Sequence, residues 1–199
     1  MITMTRSEFS RQHITSLPNM LTYLRIATIP LIILLLTPPV HGRSFNLAFL
    51  LFVIASITDY LDGILARRHN LVTSLGKLLD PLADKLLTSA VLIMLIPLDK
   101  VQAWLVFLII GREMTITGLR SIAASQGLIL KASRMGKNKM VSQTVALLFL
   151  LLYIPAIQSL LNWVGHFFLW VSLVLGYWSG RDYLVHLWRE AGHRREQLN

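Results

Sequence analysis

Residues 141–180 read VSQTVALLFLLLYIPAIQSLLNWVGHFFLWVSLVLGYWSG, forty positions without a single Asp, Glu, Lys or Arg. As one helix, this stretch would be about 60 Å long, roughly twice the thickness of the hydrocarbon core of a bilayer. We therefore expect the chain to turn within it, near Asn162, and to form two membrane spans at about 140–160 and 163–184.

Four more apolar segments precede this stretch, at about 20–36, 47–65, 76–98 and 101–124, and Pro38-Pro39 ends the first of them. Residues 1–16 resemble an interfacial lead-in rather than a cleavable signal peptide, and residues 188–199 form a basic tail. The predicted fold is all-α and integral to the membrane: one domain over residues 1–199, with six transmembrane helices and a polar active-site cavity on the cytoplasmic side.

The composition agrees with a lipid environment. Hydrophobic residues make up 54% of the 199 and charged residues 15%, whereas soluble domains carry about 25% charge. Six spans with both termini in the cytoplasm leave only Arg43 and Lys100, of the 19 lysines and arginines, on the outer side. This bias supports the assignment. The absence of cysteine excludes disulfides and thiolate metal sites.

Four aspartates lie in or beside the second and third spans. Asp59 and Asp62 are three residues apart, and Asp80 and Asp84 are four apart, so each pair shares one helix face. The short connection at 66–75 predicts an antiparallel hairpin, in which the four carboxylates converge at the cytoplasmic end. Carboxylates in a span are costly and seldom occur without a partner or a function.

Four converging carboxylates need cations to neutralise them. Hard oxygen ligands of this kind suit Mg²⁺ or Mn²⁺, and two such ions can clamp the attacking and leaving oxygens of a phosphoryl displacement. The alternative is a set of separate salt bridges to the neighbouring cations Arg67, Arg68, Lys77 and Lys85.

Residues 59–84 read DYLDGILARRHNLVTSLGKLLDPLAD. This resembles the signature of the CDP-alcohol phosphotransferase family, D-x2-D-G-x2-A-R-x8-G-x3-D-x3-D. Every fixed position is filled, by Asp59, Asp62, Gly63, Ala66, Arg67, Gly76, Asp80 and Asp84. The resemblance extends over about residues 17–145, and it implies a membrane enzyme that transfers a phosphatidyl group from CDP-diacylglycerol to an alcohol.

The resemblance also implies roles for the matching residues. The four aspartates would be metal ligands, and Asp84 would in addition be the general base that deprotonates the incoming hydroxyl. Small residues would let the nucleotide approach the helix backbone, and Arg67 would pair with a phosphate. The implied CDP-diacylglycerol-binding set is Asn19, Thr22, Asp59, Asp62, Gly63, Ala66, Arg67, Thr73 and Gly76.

The first span opens with LPNMLTYLR at residues 17–25, which resembles the P-N-x-L-T-x2-R opening of the family. The resemblance implies that Asn19 and Thr22 reach the nucleotide. The alternative is that one of them caps the helix. Arg25 lies inside the span and is expected to face a polar cavity.

A second, basic cluster is predicted to select the acceptor. Residues 111–120 read GREMTITGLR and residues 134–143 read RMGKNKMVSQ. The candidate acceptor-phosphate pocket, beside the metal site, consists of Arg112, Arg120, Lys137, Lys139 and Gln143, and Glu113 is placed to orient Arg112 by pairing. An acceptor with its own phosphate needs such cations, whereas serine or choline does not. The alternative is that the cations bind anionic lipid head groups.

This basic pattern resembles the branch of the family whose acceptor is sn-glycerol 3-phosphate, although Met140 stands where that branch usually has threonine. The predicted reaction therefore gives phosphatidylglycerophosphate and CMP. Inositol phosphate, inositol, serine and phosphatidylglycerol remain alternative acceptors, and a small transporter or a lipid-binding protein is the alternative from another class. The resemblance further implies a homodimer, and family and compactness suggest the inner (cell) membrane of a bacterium. No nucleic-acid partner is expected.

Overall fold

The computed structural model describes the backbone of residues 17–69, 74–125 and 134–198, and the side chains of residues 20, 22–59, 81–125 and 135–185. Over these ranges the regular structure is helical, with no strand. The helices are α1 (Leu17–Leu35), α2 (Gly42–His69), α3 (Ser74–Met94), α4 (Ala103–Ser125), α5 (Arg134–Leu151) and α6 (Gln158–Leu198). They correspond one to one with the six predicted segments, while the predicted lead-in at 1–16 lies outside the described residues.

The turn within the long uncharged stretch differs from the prediction. α5 ends at Leu151, a 3₁₀ turn occupies Pro155–Ile157, and α6 begins at Gln158. Asn162 therefore lies inside α6, and the turn predicted there is wrong. The physical reason is Pro155, which has no backbone N–H to continue a preceding helix but is well tolerated where a new helix starts.

α6 is also longer than the predicted sixth span. It continues without interruption to Leu198, so the segment predicted as a basic tail is helical up to that residue. The charges at its C-terminal end did not stop the helix, because lysine, arginine and glutamate are good helix formers.

Two helical stretches in the described residues are long and apolar enough to cross a membrane, Gly42–Asp59 and Pro155–Val185, and Thr22–Leu35 is a shorter apolar helix. The helices α3, α4 and α5 carry several charged side chains each. These charges belong largely to the predicted sites, and they lower the hydropathy of those helices. Membrane crossing by all six helices remains a prediction.

The chain divides into two compact units, of which the first comprises Met1–Leu98 and Leu151–Ala156. In this unit α1 packs against both α2 and α3. The buried face of α3 repeats every fourth residue, at Ala83, Leu87, Val91 and Leu95, as expected for a helix with one face in a core. This packing places the aspartate-bearing helices side by side with α1.

The second unit comprises Asp99–Leu150 and Ile157–Asn199, and in it α4 packs against α6. The indole rings of Trp104 and Trp170 lie 5.6 Å apart. Before α4, the Lys100 ammonium donates a hydrogen bond to the Asn162 side-chain oxygen at 2.8 Å. Burial lowers the pKa of Lys100, because partial removal from water disfavours the charged ammonium.

Candidate active site

The four aspartates occupy matched positions along α2 and α3. Asp59 lies ten residues before the end of α2, and Asp84 lies ten residues after the start of α3. At 1.5 Å per residue, each is about 15 Å from the connection at 70–73. In the predicted antiparallel hairpin, in which four residues join α2 to α3, Asp59 and Asp84 would lie at the same level.

A second pair lies closer to the connection. Asp62 is seven residues before the end of α2 and Asp80 is six residues after the start of α3, so both are about 10 Å from residues 70–73 by helical rise. Their side chains lie outside the described residues. In the predicted hairpin this register would give two levels of paired aspartates, one helical turn apart.

Asp59 is paired with a buried cation from α1. Arg25 Nη1 lies 2.6 Å from Asp59 Oδ1, and Arg25 is 2% exposed. The Thr28 hydroxyl donates to the Arg25 backbone carbonyl at 2.7 Å. A guanidinium buried in apolar surroundings requires an opposite charge, so Arg25 faces a carboxylate rather than lipid. A set of isolated surface salt bridges does not describe Asp59, because its partner is buried.

Asp84 is half-buried on α3, beside the fully buried Ala83. The Thr88 hydroxyl donates to the Asp84 backbone carbonyl at 2.9 Å, which occupies that hydroxyl within its own helix. Thr22 is 1% exposed and lies well inside α1, which is already helical from Leu17. Thr22 therefore does not cap the helix N-terminus.

The other residues predicted to bind the nucleotide are located only by their backbone. Gly63, Ala66 and Arg67 lie on α2, Gly76 on α3 and Asn19 on α1, and their surroundings are outside the described side chains. Thr73 falls outside the described residues altogether. The structure therefore places these residues on α2 and α3, which carry the four aspartates, and on α1, which packs against both.

The donors present suit a hard divalent cation. They are carboxylate oxygens, and the chain contains no sulfur ligand from cysteine, a set that favours Mg²⁺ or Mn²⁺ over softer metals. Within the described side chains no three His, Cys, Asp or Glu residues come close enough to hold a metal ion. The side chains of two of the four expected ligands, Asp62 and Asp80, lie outside the described residues. The carboxylates present fit the expected ion by their chemistry.

The second unit contains the predicted acceptor residues, and it joins two of them through a carboxylate. Glu113 Oε1 accepts a hydrogen bond from Arg112 Nη1 at 3.2 Å and also contacts Lys139 Nζ of α5. The three side chains are only 8–19% exposed. Arg112 and Lys139, predicted from sequence to share a pocket, are thus brought together, and the Arg112–Glu113 pairing expected from the sequence is present.

The remaining members of the predicted pocket lie in different surroundings. Arg120 is exposed and stacks over the Tyr183 ring, with its guanidinium carbon 5.5 Å from the ring centre. Gln143 is buried one turn after Lys139 on α5, whereas Lys137 is exposed. Arg112 and Lys139 therefore form the centre of the cationic cluster.

Two glycines of α6 allow the backbone to approach Arg112 closely. A Cβ at Gly176 would lie 3.5 Å from Arg112 Nε, and a Cβ at Gly180 would lie 3.7 Å from it. Arg112 Nε is buried and has no hydrogen-bond partner among the described residues. Arg112 also borders a groove of about 540 Å³ between α4 and α6, whose lining includes Gly180 and Arg181.

Comparison with known proteins identifies the family to which this chain belongs. The sequence model of one protein family, described as CDP-alcohol phosphatidyltransferase, matches residues 15–178, most of the chain. The chain belongs to the CDP-alcohol phosphatidyltransferase family. The family match includes the four aspartates and all five residues of the predicted acceptor pocket, and it ends inside α6.

Several CDP-alcohol phosphatidyltransferases that resemble this chain carry one name. A Bacillus subtilis protein named CDP-diacylglycerol--glycerol-3-phosphate 3-phosphatidyltransferase is 41% identical over 184 residues, which cover 87% of this chain and 95% of that protein. A Rickettsia typhi protein of the same name is 43% identical over 169 residues, covering 84% and 94%. An Arabidopsis thaliana protein, named as form 1, chloroplastic/mitochondrial, is 36% identical over 194 residues, covering 88% and 64%.

Three contacts were missed by sequence reasoning. The Arg25–Asp59 pair joins opposite charges in two predicted spans, and the Lys139–Glu113 pair joins a charge at the start of one predicted span to an opposite charge inside another. Such complementary charges in or beside apolar helices are a signal that can be read from the sequence. The stacking of Arg120 on Tyr183 has no such signal, because tyrosine is common in membrane helices.

Proposed function

We propose that this protein is a CDP-diacylglycerol–glycerol-3-phosphate 3-phosphatidyltransferase of phospholipid biosynthesis. It transfers the phosphatidyl group of CDP-diacylglycerol to sn-glycerol 3-phosphate and releases phosphatidylglycerophosphate and CMP. The observation that carries this proposal is the nearly full-length similarity to bacterial proteins of that name, with 41% identity over 95% of the Bacillus subtilis protein.

The carboxylate hairpin is proposed as the reaction centre. Asp59, Asp62, Asp80 and Asp84 would hold divalent cations, Mg²⁺ or Mn²⁺ and two in number, which when bound stabilise negative charge on the phosphate oxygens. Support comes from the two levels of aspartates that the helical register would give in the predicted hairpin. Arg25 holds Asp59 in a fixed orientation, so that this carboxylate does not have to be ordered when substrate arrives.

The chain's own general base is Asp84 in this proposal. It accepts the proton of the 1-hydroxyl of glycerol 3-phosphate, the freed oxygen forms a bond to the phosphorus nearest the diacylglycerol, and the bond from that phosphorus to CMP breaks. The half-burial of Asp84 supports the role, since a base needs both access to substrate and an environment that adjusts its proton affinity.

CDP-diacylglycerol is proposed to lie along α1 and the hairpin, and the acceptor to bind the cationic cluster. The residues for the nucleotide are those the family signature implies: Asn19, Thr22, Asp59, Asp62, Gly63, Ala66, Arg67, Thr73 and Gly76. The acceptor phosphate is bound by Arg112, Arg120, Lys137, Lys139 and Gln143. Support for this second set comes from the burial of Arg112 and Lys139 on one carboxylate, because free lipid-binding cations would be expected at the surface.

The proposed setting is the inner (cell) membrane of a bacterium, with six spans, both termini and the active-site cavity on the cytoplasmic side, and a homodimer as the assembly. Large apolar side chains on the surface support contact with lipid, among them Leu34 at 72%, Phe107 at 74% and Trp163 at 69% exposure. Exposed apolar surface on this scale is unusual for a soluble monomer.

The experiment that tests the function is CMP release by the purified full-length protein in mixed micelles containing CDP-diacylglycerol and Mg²⁺ or Mn²⁺. One acceptor is added at a time: glycerol 3-phosphate, inositol 1-phosphate, inositol, serine or phosphatidylglycerol. We expect metal-dependent release with glycerol 3-phosphate alone. CMP release with another acceptor would overturn the acceptor assignment. No CMP release from a folded sample would contradict the enzyme function and favour a transporter or a lipid-binding protein.

A further inference from the structure

Glu113 occupies an unusual position for an acidic residue. Its Oε1 atom contacts two cations from two helices, Arg112 Nη1 of α4 and Lys139 Nζ of α5, and its side chain is 19% exposed. Buried ion pairs of this kind are roughly neutral for stability when compared with well-packed apolar residues. Stability alone therefore does not account for a carboxylate at this position. Its contacts with the two cations point instead to a role in orienting them.

The contact with Glu113 leaves part of Arg112 available. A guanidinium donates along more than one edge, and Glu113 engages Nη1. The Nε atom lies on a different edge, is buried, and has no hydrogen-bond partner among the described residues. Because residues 176 and 180 are glycines, no Cβ lies against it from α6. A buried N–H donor of this kind is satisfied best by an added acceptor, and phosphate oxygens suit the planar donor edge of an arginine.

The net charge of the cluster of Arg112, Glu113 and Lys139 also favours an anionic ligand. Arg112 and Lys139 carry two positive charges and Glu113 one negative, so the buried trio keeps one net positive charge. A phosphate monoester is mostly dianionic at neutral pH, since its second pKa is about 6. Such a ligand is attracted by the trio, whereas a neutral alcohol such as inositol gains nothing from it.

We propose that Glu113 is the residue that positions the acceptor site: it orients Arg112 and Lys139 so that together they receive the phosphate of glycerol 3-phosphate, and it does so without touching the acceptor. The inference rests on the proposed function, which it deepens by naming what sets acceptor selectivity. Without Glu113 the two cations repel each other, and each adopts its own orientation.

The test is steady-state kinetics of the full-length Glu113→Gln variant. Charge-assisted hydrogen bonds contribute enough that we expect the KM for glycerol 3-phosphate to rise by about ten- to a hundredfold, while the KM for CDP-diacylglycerol changes by less than about twofold. Inorganic phosphate should lose potency as a competitor of glycerol 3-phosphate in parallel. The matched control is Asp182→Asn, which removes one negative charge from the same unit and should leave both constants unchanged.

A double-mutant cycle with Lys139→Met separates positioning from a direct role. If Glu113 acts partly through Lys139, adding Glu113→Gln to Lys139→Met should raise the KM for glycerol 3-phosphate by clearly less than Glu113→Gln does alone, because only the contact with Arg112 is then left to lose. Fully additive effects would overturn the proposal, as would an unchanged KM or an equal rise for both substrates. If Glu113→Gln does not fold, Glu113→Asp replaces it: the shorter side chain keeps the charge but should still raise that KM, and a wild-type KM would overturn the proposal.

The two proposals fail in different ways. Wild-type protein that releases no CMP with glycerol 3-phosphate contradicts the proposed function itself. Wild-type protein that releases CMP normally, together with a Glu113→Gln variant of unchanged KM, contradicts only the positioning role.

Discussion

The two charged clusters of this protein are opposites in construction. Helices α2 and α3 carry the four aspartates, and among the described side chains the buried cation Arg25 pairs with one of them, Asp59. Helices α4 and α5 carry the cations, and among the described side chains the partly buried anion Glu113 contacts two of them, Arg112 and Lys139. Each cluster therefore keeps an excess of the charge opposite to that of its proposed ligand, divalent cations in one case and a phosphate in the other.

The difference shows how an apolar chain can hold reactive charges. In water, a flexible charged side chain can adopt many orientations without a partner. Inside a helical bundle, an unpaired charge costs free energy. A lone opposite charge on a neighbouring helix lowers that cost and fixes the orientation at the same time. The comparison can be tested by removing first the reactive charges and then the charges that hold them.

The largest effect is expected at the reactive carboxylate. Asp84→Asn removes the proposed base and a proposed metal ligand, so CMP release should fall by at least about a thousandfold, because a positioned base alone contributes about 10²- to 10⁴-fold. The thermal unfolding midpoint in detergent should stay close to that of the wild type, since Asp84 is half-buried. Normal CMP release by the folded variant would remove Asp84 from the mechanism.

The next largest effect is expected from removing the holding charge of the hairpin. Arg25→Met leaves the Asp59 carboxylate without its buried partner, so the free energy of unfolding should fall by about 3 kcal/mol, the lower part of the usual range because Asp59 is partly exposed. Arg25→Lys, which keeps the charge, should lose clearly less. Equal losses for both variants would show that the guanidinium group itself, rather than its positive charge, matters at this position.

A smaller effect is expected in the cationic cluster when geometry alone is changed. Arg112→Lys keeps the charge but loses the planar set of donors, so the KM for glycerol 3-phosphate should rise by about tenfold with little change for CDP-diacylglycerol. Competition by inorganic phosphate provides an independent measure of the same site. A wild-type KM for this variant would mean that the cluster attracts the acceptor by charge alone, without orienting it.

The smallest effect is expected at the edge of the same cluster. Arg120 is exposed and already stacks on Tyr183, an interaction of roughly 0.5–1 kcal/mol at exposed sites. Arg120→Gln should therefore raise the KM for glycerol 3-phosphate by no more than about threefold. A rise as large as that of Arg112→Lys would extend the centre of the acceptor site to Arg120 and contradict its peripheral placement.

Much of the fold followed from residue patterns, because apolar length and charge position are properties of single segments. The six α-helices of the described residues lie close to the six apolar segments predicted from the sequence. The turn near Asn162 was placed wrongly, since the uncharged stretch gives no charge to mark its boundary and Pro155 is the residue that interrupts it. The full length of α6 was missed because the apolar stretch ends at Val185, whereas the charged residues beyond it still favour a helix.

The candidate site was predictable in its composition and less so in its internal contacts. The spacing of Asp59, Asp62, Asp80 and Asp84 predicted the hairpin, and the four residues lie at similar distances along α2 and α3 from the helix ends that the connection joins. Their convergence stays a prediction. The pairing of Lys139 with Glu113 depends on how α5 is rotated against α4. Rotation of one helix about its axis is decided by packing over the whole length of the helix, which single-residue patterns do not encode.

The length of α6 has a practical consequence for work on the protein in membranes. The apolar stretch that can cross a bilayer ends at Val185, and the helix continues to Leu198, a further distance of about 20 Å at the rise of an α-helix. With Pro155–Val185 in the bilayer, as proposed, a fluorophore attached near Leu198 would be held away from the lipid by a helix rather than by a flexible chain. Energy transfer from that fluorophore to acceptors in the lipid would measure how far the helix tilts toward the membrane surface.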